Sequence, residues 1–156
     1  TNYFGNMLLY IVPLVIAFVF AYFIEGYQHW RKHCLYILLV VILGGLSVFV
    51  LKNVFGRARP YMYVDHAIYG FQWFKFKAAY WSFPSGHVVT VTSMCLPLSY
   101  ISRKVWPIRY LFLILILVVM VGRVLTLNHY VSDVVSAFLL VFLINRVMRK
   151  KFYENE

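Results

Sequence analysis

The stretch GRVLTLNHYVSD, residues 122–133, sets Arg123, His129 and Asp133 between two runs that otherwise read as lipid-grade sequence. Ionisable side chains at membrane depth are costly, so a cluster of three points to function. If the chain is helical from Asn128 onward, His129 and Asp133 stand at i and i+4 on one face, where the carboxylate can accept the ring's Nδ1–H. Nε2 is then left as a bare lone pair. A carboxylate that fixes the tautomer of a neutral imidazole is the logic of a catalytic triad, but no serine follows, and the imidazole itself becomes the candidate nucleophile. Arg123 adds a planar cationic fork suited to phosphate or carboxylate. Taken alone, the stretch fits equally well a helix-end salt bridge beside a snorkelling arginine.

Composition sets the class. Of 156 residues, 63% are hydrophobic and 20% aromatic, far outside the usage of water-soluble domains. The expected fold is an all-α integral membrane protein. A formal charge of +10 would suggest nucleic acid in a soluble chain, but the basic residues gather at the ends of apolar runs and no nucleic-acid face results. Cys34 and Cys95 lie inside apolar runs at no metal-ligand spacing and read as small core residues. The chain opens on Thr1, not Met, so a single membrane-embedded domain, residues 1–156, is expected to lack an N-terminal piece.

The first apolar run covers residues 7–24, with no basic residue ahead of it and no small-residue cleavage site behind it, which favours a span over a signal peptide. The second, residues 34–51, carries Gly44, Gly45 and Ser47, which let helix backbones approach closely in lipid. After it come KNVFGRARP, residues 52–60, and an aromatic-rich connection, residues 61–83, in which rings mix with Lys75 and Lys77 as an interfacial segment should. Arg57 has no assigned role and is left undecided, with simple solvation as one reading. WSFPSGH opens a third run, residues 88–101, with Pro84 suited to a first helical turn, Ser85 and Gly86 offering N–H groups to an anion, and Pro97 expected to kink it. The fourth and fifth runs flank the opening stretch, and a basic tail closes the chain.

Spans alternate sides of a bilayer. The segments holding Lys52 to Pro60, Pro84 to His87 and Arg123 to Asp133 therefore all fall on one face, and the remaining junctions and the tail, richer in Lys and Arg, fall on the other. The positive-inside rule assigns the richer face to the cytoplasm and the candidate site to the exoplasmic side, the periplasm in a Gram-negative cell.

These residues resemble the type 2 phosphatidic acid phosphatase superfamily, which also includes vanadium haloperoxidases. Its three-part signature can be followed here as Lys52 with Arg59-Pro60, then Pro84-Ser85-Gly86-His87, then Arg123, His129 and Asp133, with Gly122 where a serine is usual. All three parts, in order and correctly spaced, make the resemblance specific from the second run to the fifth. The family's membrane members usually have six spans. Five are visible in this chain, forming a compact bundle with an aromatic-rich interfacial segment.

The resemblance implies roles. His129 attacks phosphorus and forms a phosphohistidine, Asp133 holds its tautomer, and His87 protonates the leaving oxygen. Lys52, Arg59 and Arg123, with the N–H groups at Ser85 and Gly86, surround the nonbridging oxygens, and no metal or other cofactor is implied. The implied activity is metal-independent hydrolysis of a lipid phosphomonoester or pyrophosphate in a bacterial inner membrane, leaning to lipid A 1-phosphate or phosphatidylglycerol phosphate. Two alternatives share the site: a lipid phosphotransferase using the same phosphohistidine, and an inactive lipid-binding membrane protein. The expected partners are the lipid phosphate substrate and membrane lipids.

Overall fold

The computed structural model describes residues 30–154 without a break and, ahead of them, residues 12–13, 15–16, 19–20, 22–23 and 26–27. The apolar run at residues 7–24 therefore lies largely outside the described residues. The elements in order are α1 (Arg31–Phe55), a short α2 (Pro60–His66), a 3-10 turn (Ala78–Tyr80), α3 (Gly86–Ile101), α4 (Trp106–Leu125), α5 (Val131–Arg149) and a final π-type turn (Lys150–Glu154).

The described protein is helical because its long apolar runs leave backbone groups no partner in lipid except within a helix. Three of the helices, α1, α4 and α5 with its terminal turn, are long and apolar enough to cross a membrane. The expected third run is shorter: α3 has 16 residues, or about 24 Å of helix against a hydrocarbon core of ~30 Å. It is also the most enclosed, with Val88, Val89, Thr92, Ser93, Cys95, Leu96, Pro97 and Ser99 all buried. The helix continues through Pro97 to Ile101, although proline removes the N–H that would bond one turn back.

The described bundle is arranged around α3, which packs on α1, α4 and α5. In α4, by contrast, Ile116 alone is buried, while Leu111, Ile114, Leu117, Val118, Val121 and Leu125 are exposed. An apolar helix that turns most of its side chains outward is matched to lipid, not water. The core joins Tyr36, Val40, Val41 and Val48 of α1 to Val88, Val89 and Leu96 of α3 and to Val134, Ala137 and Val141 of α5. Its polar groups are partly paired: Tyr36 Oη donates to Asn145 Oδ1 over 2.6 Å.

Gly44 sets how closely α1 and α3 approach. A Cβ there would stand 2.7 Å from Ser93 Oγ and 3.2 Å from Val89 Cγ1, both on buried residues of α3. The connection between α1 and α3 folds back over the end of α1. Gly56 closes that helix in the left-handed conformation, and Phe55 packs on Phe71, Trp73 and Phe83. Tyr63, Tyr69, Trp73, Phe74 and Phe76 remain exposed, as rings seated at a headgroup boundary would be.

Gly44→Val is expected to force α1 and α3 apart and to cost about 1–3 kcal/mol. Thermal unfolding of the purified protein in detergent measures the loss.

Candidate active site

The helices alternate in direction, so the last turn of α1, the first of α3, the last of α4 and the first of α5 share one end of the bundle. Side chains from all four meet there. Lys52 donates to the Trp81 carbonyl, Arg59 Nη1 to Asn128 Oδ1 over 3.2 Å, and Arg123 Nη2 to His87 Nδ1 over 3.0 Å. A guanidinium can only donate, so the ring nitrogen it bonds accepts; Nδ1 is the nearer of the two, with Nε2 3.5 Å from the same Nη2.

Asp133 is fully buried. Its Oδ2 accepts from Ser82 Oγ over 2.6 Å and from the Tyr130 N–H over 2.9 Å, and its Oδ1 is paired with Arg57. Its own backbone N–H reaches back to the Tyr130 carbonyl. The first turn of α5 is thus capped by its own carboxylate. In α3 the N-cap is Ser85, which makes no side-chain capping bond, and its buried hydroxyl has no partner among the described residues.

Two expectations change, and one undecided residue acquires a place. The helix begins at Val131, not Asn128, so His129 lies in the preceding turn and its Nδ1 is 3.9 Å from Asp133 Oδ2, outside bonding range. Nδ1 instead bonds the Ser82 carbonyl over 2.7 Å. A carbonyl can only accept, so Nδ1 carries the proton and Nε2 keeps its lone pair, with a main-chain oxygen fixing the tautomer in place of the carboxylate. Second, the Ser85 N–H is not free for an anion, because it donates to the Asp133 carbonyl over 3.1 Å. The unpaired N–H groups of the first turn begin at Gly86. Arg57, left undecided by the sequence, is buried: Nη1 donates to Ser132 Oγ over 2.7 Å and to Asp133, and the guanidinium lies 4.4 Å from the centre of the Tyr130 ring. Nothing in the motif spacing marked Arg57 or Ser82. A second arginine two residues before Arg59 was the one available hint.

His129 is 2% exposed and its pKa is pushed down to about 3, first by burial and then by the fields of Lys52 and Arg59, with Arg123 adding to them and the bond to Ser82 opposing. Burial likewise lowers Arg59. The ring is therefore neutral, with one nitrogen free, and it faces three cations. Among the described residues no group of three or more His, Cys, Asp or Glu side chains could hold a metal ion.

The PAP2 superfamily model matches residues 33–156, nearly all of the described chain. The protein belongs to the PAP2 superfamily. Two curated relatives, both named lipid A 1-phosphatase, come from Rhizobium etli, 33% identical over 101 residues, and Rhizobium johnstonii, 32% identical over 101 residues. Each alignment covers 65% of this chain but only 42% and 40% of the respective relative, so the chain spans well under half the length of either. No solved structure matches at a significant level.

The depressed His129 has a consequence for stability. As pH falls from about 6.5 toward 3, the unfolded PAP2 chain binds a proton that the folded chain refuses, so the native state loses stability across that window. Thermal unfolding in detergent between about pH 7 and pH 4 should show a steeper decline for the native sequence than for His129→Gln, which lacks the group.

Proposed function

We propose that this protein hydrolyses a lipid phosphate at the exoplasmic face of a bacterial inner membrane. The observation that carries this reading is the neutral imidazole of His129, one nitrogen committed to the Ser82 carbonyl and the other free, beside Lys52, Arg59 and Arg123. Phosphoryl transfer needs positioning and charge stabilisation more than covalent chemistry from the protein, and three fixed cations supply both.

In this mechanism Nε2 of His129 attacks phosphorus in line as the bond to the lipid oxygen breaks. The phosphohistidine keeps its Nδ1 proton and so carries positive charge, which the Ser82 carbonyl and the nearby Asp133 carboxylate stabilise. The phosphate competes with His87 for the Arg123 guanidinium. Once Nδ1 is released, His87 can take up a proton from solvent and deliver it to the departing lipid alkoxide. General acid catalysis of this kind is typically worth about two to four orders of magnitude. His87 then removes a proton from the water that attacks the phosphohistidine, and inorganic phosphate leaves. The Ser85 hydroxyl and the N–H groups from Gly86 onward complete the cradle for the nonbridging oxygens.

The phosphate is shared by every candidate lipid, so the headgroup is argued from other grounds. The relatives' name favours lipid A 1-phosphate, with phosphatidylglycerol phosphate next. The orientation follows from Arg31, Lys32, Arg103, Lys104, Arg109, Arg146, Arg149, Lys150 and Lys151 at the opposite end of the bundle, which the positive-inside rule assigns to the cytoplasm.

The purified protein should release inorganic phosphate from these lipids in the presence of chelator, and His129→Ala should abolish release. Full activity in that variant, or activity restored to chelated enzyme by Mg²⁺ alone, would overturn the reading. Gly122→Ser restores the hydroxyl usual in the family, and a Cβ at that position meets no atom within 4 Å. It should fold normally and lower the KM for lipid phosphate by a few-fold, the order of one added hydrogen bond.

A further inference from the structure

The imidazole's orientation depends on one peptide group, that of Ser82, which is held by Asp133 and by Arg57, and both Ser82 and Arg57 lie outside the family signature traced above. Ser82 is bonded at three atoms. Its N–H donates to the Arg57 carbonyl over 3.0 Å, its hydroxyl to Asp133 Oδ2 over 2.6 Å, and its carbonyl accepts from His129 Nδ1 over 2.7 Å. Arg57 holds the same assembly from the other side, through its backbone to Ser82 and its side chain to Asp133 and Ser132.

We propose that Arg57 and Ser82 are positioning residues for the nucleophile: the Arg57–Asp133 ion pair locks the Ser82 peptide, and that peptide's carbonyl aims Nε2 of His129 at the phosphate. The proposal rests on the phosphatase reading above. Arg57 differs from the other three cations of the site. Lys52, Arg59 and Arg123 are the groups whose fields act on His129. The Arg57 guanidinium is spent instead on Asp133 and Ser132, between the rings of Tyr130 at 4.4 Å and Phe71 at 5.2 Å. An arginine suits this place because a planar fork can lie against a ring face while its edge bonds a carboxylate, a combination lysine cannot reproduce.

Asp133 has no exposure to solvent, so removing the Arg57 charge leaves a buried carboxylate without its ionic partner, which must shift toward its other donors or admit water. Either change disturbs its hold on the Ser82 hydroxyl. The unbalanced carboxylate, 3.9 Å from Nδ1, also makes it easier for His129 to hold a proton. The charged or titratable groups around that ring are Lys52 from α1, Arg59 from the following loop, His87 from α3, Arg123 from α4 and Asp133 from α5.

The test uses the full chain in detergent micelles with a lipid phosphomonoester. Arg57→Gln should lower kcat by roughly ten- to a hundredfold, by analogy with the loss on removing outer partners of metal-binding histidines, with KM unchanged within about twofold because phosphate-binding groups are untouched. It should also move the acid limb of the kcat profile to higher pH. Arg57→Lys keeps the charge, so the limb should stay in place while kcat falls by a smaller factor. Ser82→Ala keeps the carbonyl and the N–H bond to Arg57 but removes the hydroxyl's bond to Asp133, and should lower kcat with KM unchanged. A raised KM at constant kcat in Arg57→Gln would make Arg57 a phosphate ligand and overturn the proposal. Loss of kcat with an unmoved acid limb would reduce Arg57 to a structural role and overturn it equally.

Should Arg57→Gln fail to fold, Ser82→Ala decides, since unaltered kcat there rejects the proposal. If the native chain releases no phosphate from any lipid, the phosphatase reading fails separately. Orthovanadate, a phosphate mimic expected to bond to the same imidazole nitrogen, then tests the geometry: weaker binding to Ser82→Ala than to the native chain supports the proposal, and equal binding rejects it.

Discussion

A carboxylate with no access to solvent, set where four apolar helices end, governs the arrangement of this site. An unmatched charge in such surroundings would cost several kcal/mol even after relaxation, so Asp133 must be met by donors at bonding distance. Those donors are Arg57, the Ser82 hydroxyl and the Tyr130 N–H, while the carbonyl of the same residue takes the Ser85 N–H. They come from the segment after α1, the segment before α3 and the turn before α5. Satisfying one buried anion therefore ties together the stretches that carry the candidate chemistry, and the same knot orients His129.

Around that knot the positive charge is not balanced by acids. The acidic residues among those described are Asp65, Asp133 and Glu154, and of these only Asp133 belongs to the site. Lys52, Arg59 and Arg123 accordingly bond to neutral groups: a carbonyl, an amide oxygen and an imidazole nitrogen. Three cations held near one another repel, and an anion such as the phosphate of the proposed substrate would relieve that repulsion. Sites that stabilise developing negative charge work in this way, with the cost of assembling the donors met during folding and not during reaction.

Much of this could be read from the residues alone. Apolar runs marked where α1, α4 and α5 lie, and alternation across a bilayer was enough to bring Lys52, Arg59, His87, Arg123 and His129 to one end. The hydrogen bonds were less accessible. The His129–Asp133 pairing rested on a helix starting at Asn128. The actual start at Val131 puts the histidine in a turn, where a main-chain oxygen reaches it first. Arg57 and Ser82 were illegible for a related reason. Their partners are fixed by pairing between the loop strands, Arg57 with Phe71 and Ser82 N–H with the Arg57 carbonyl, and such pairing has no periodicity to detect. The Ser85 N–H was misjudged because its acceptor, the Asp133 carbonyl, is distant in sequence.

The two helix beginnings at this end of the bundle differ in how they are finished. The first turn of α5 carries its own negative group, since Asp133 sits there and receives the Tyr130 N–H. The first turn of α3 has no internal anion, and its Ser85 side chain makes no capping bond. Of two positive poles lying side by side, one is already neutralised from within and the other is left for a visitor. Under the proposed function, a phosphate entering here would be steered to a single pole, and the attacking nitrogen would need to be aimed in one direction only.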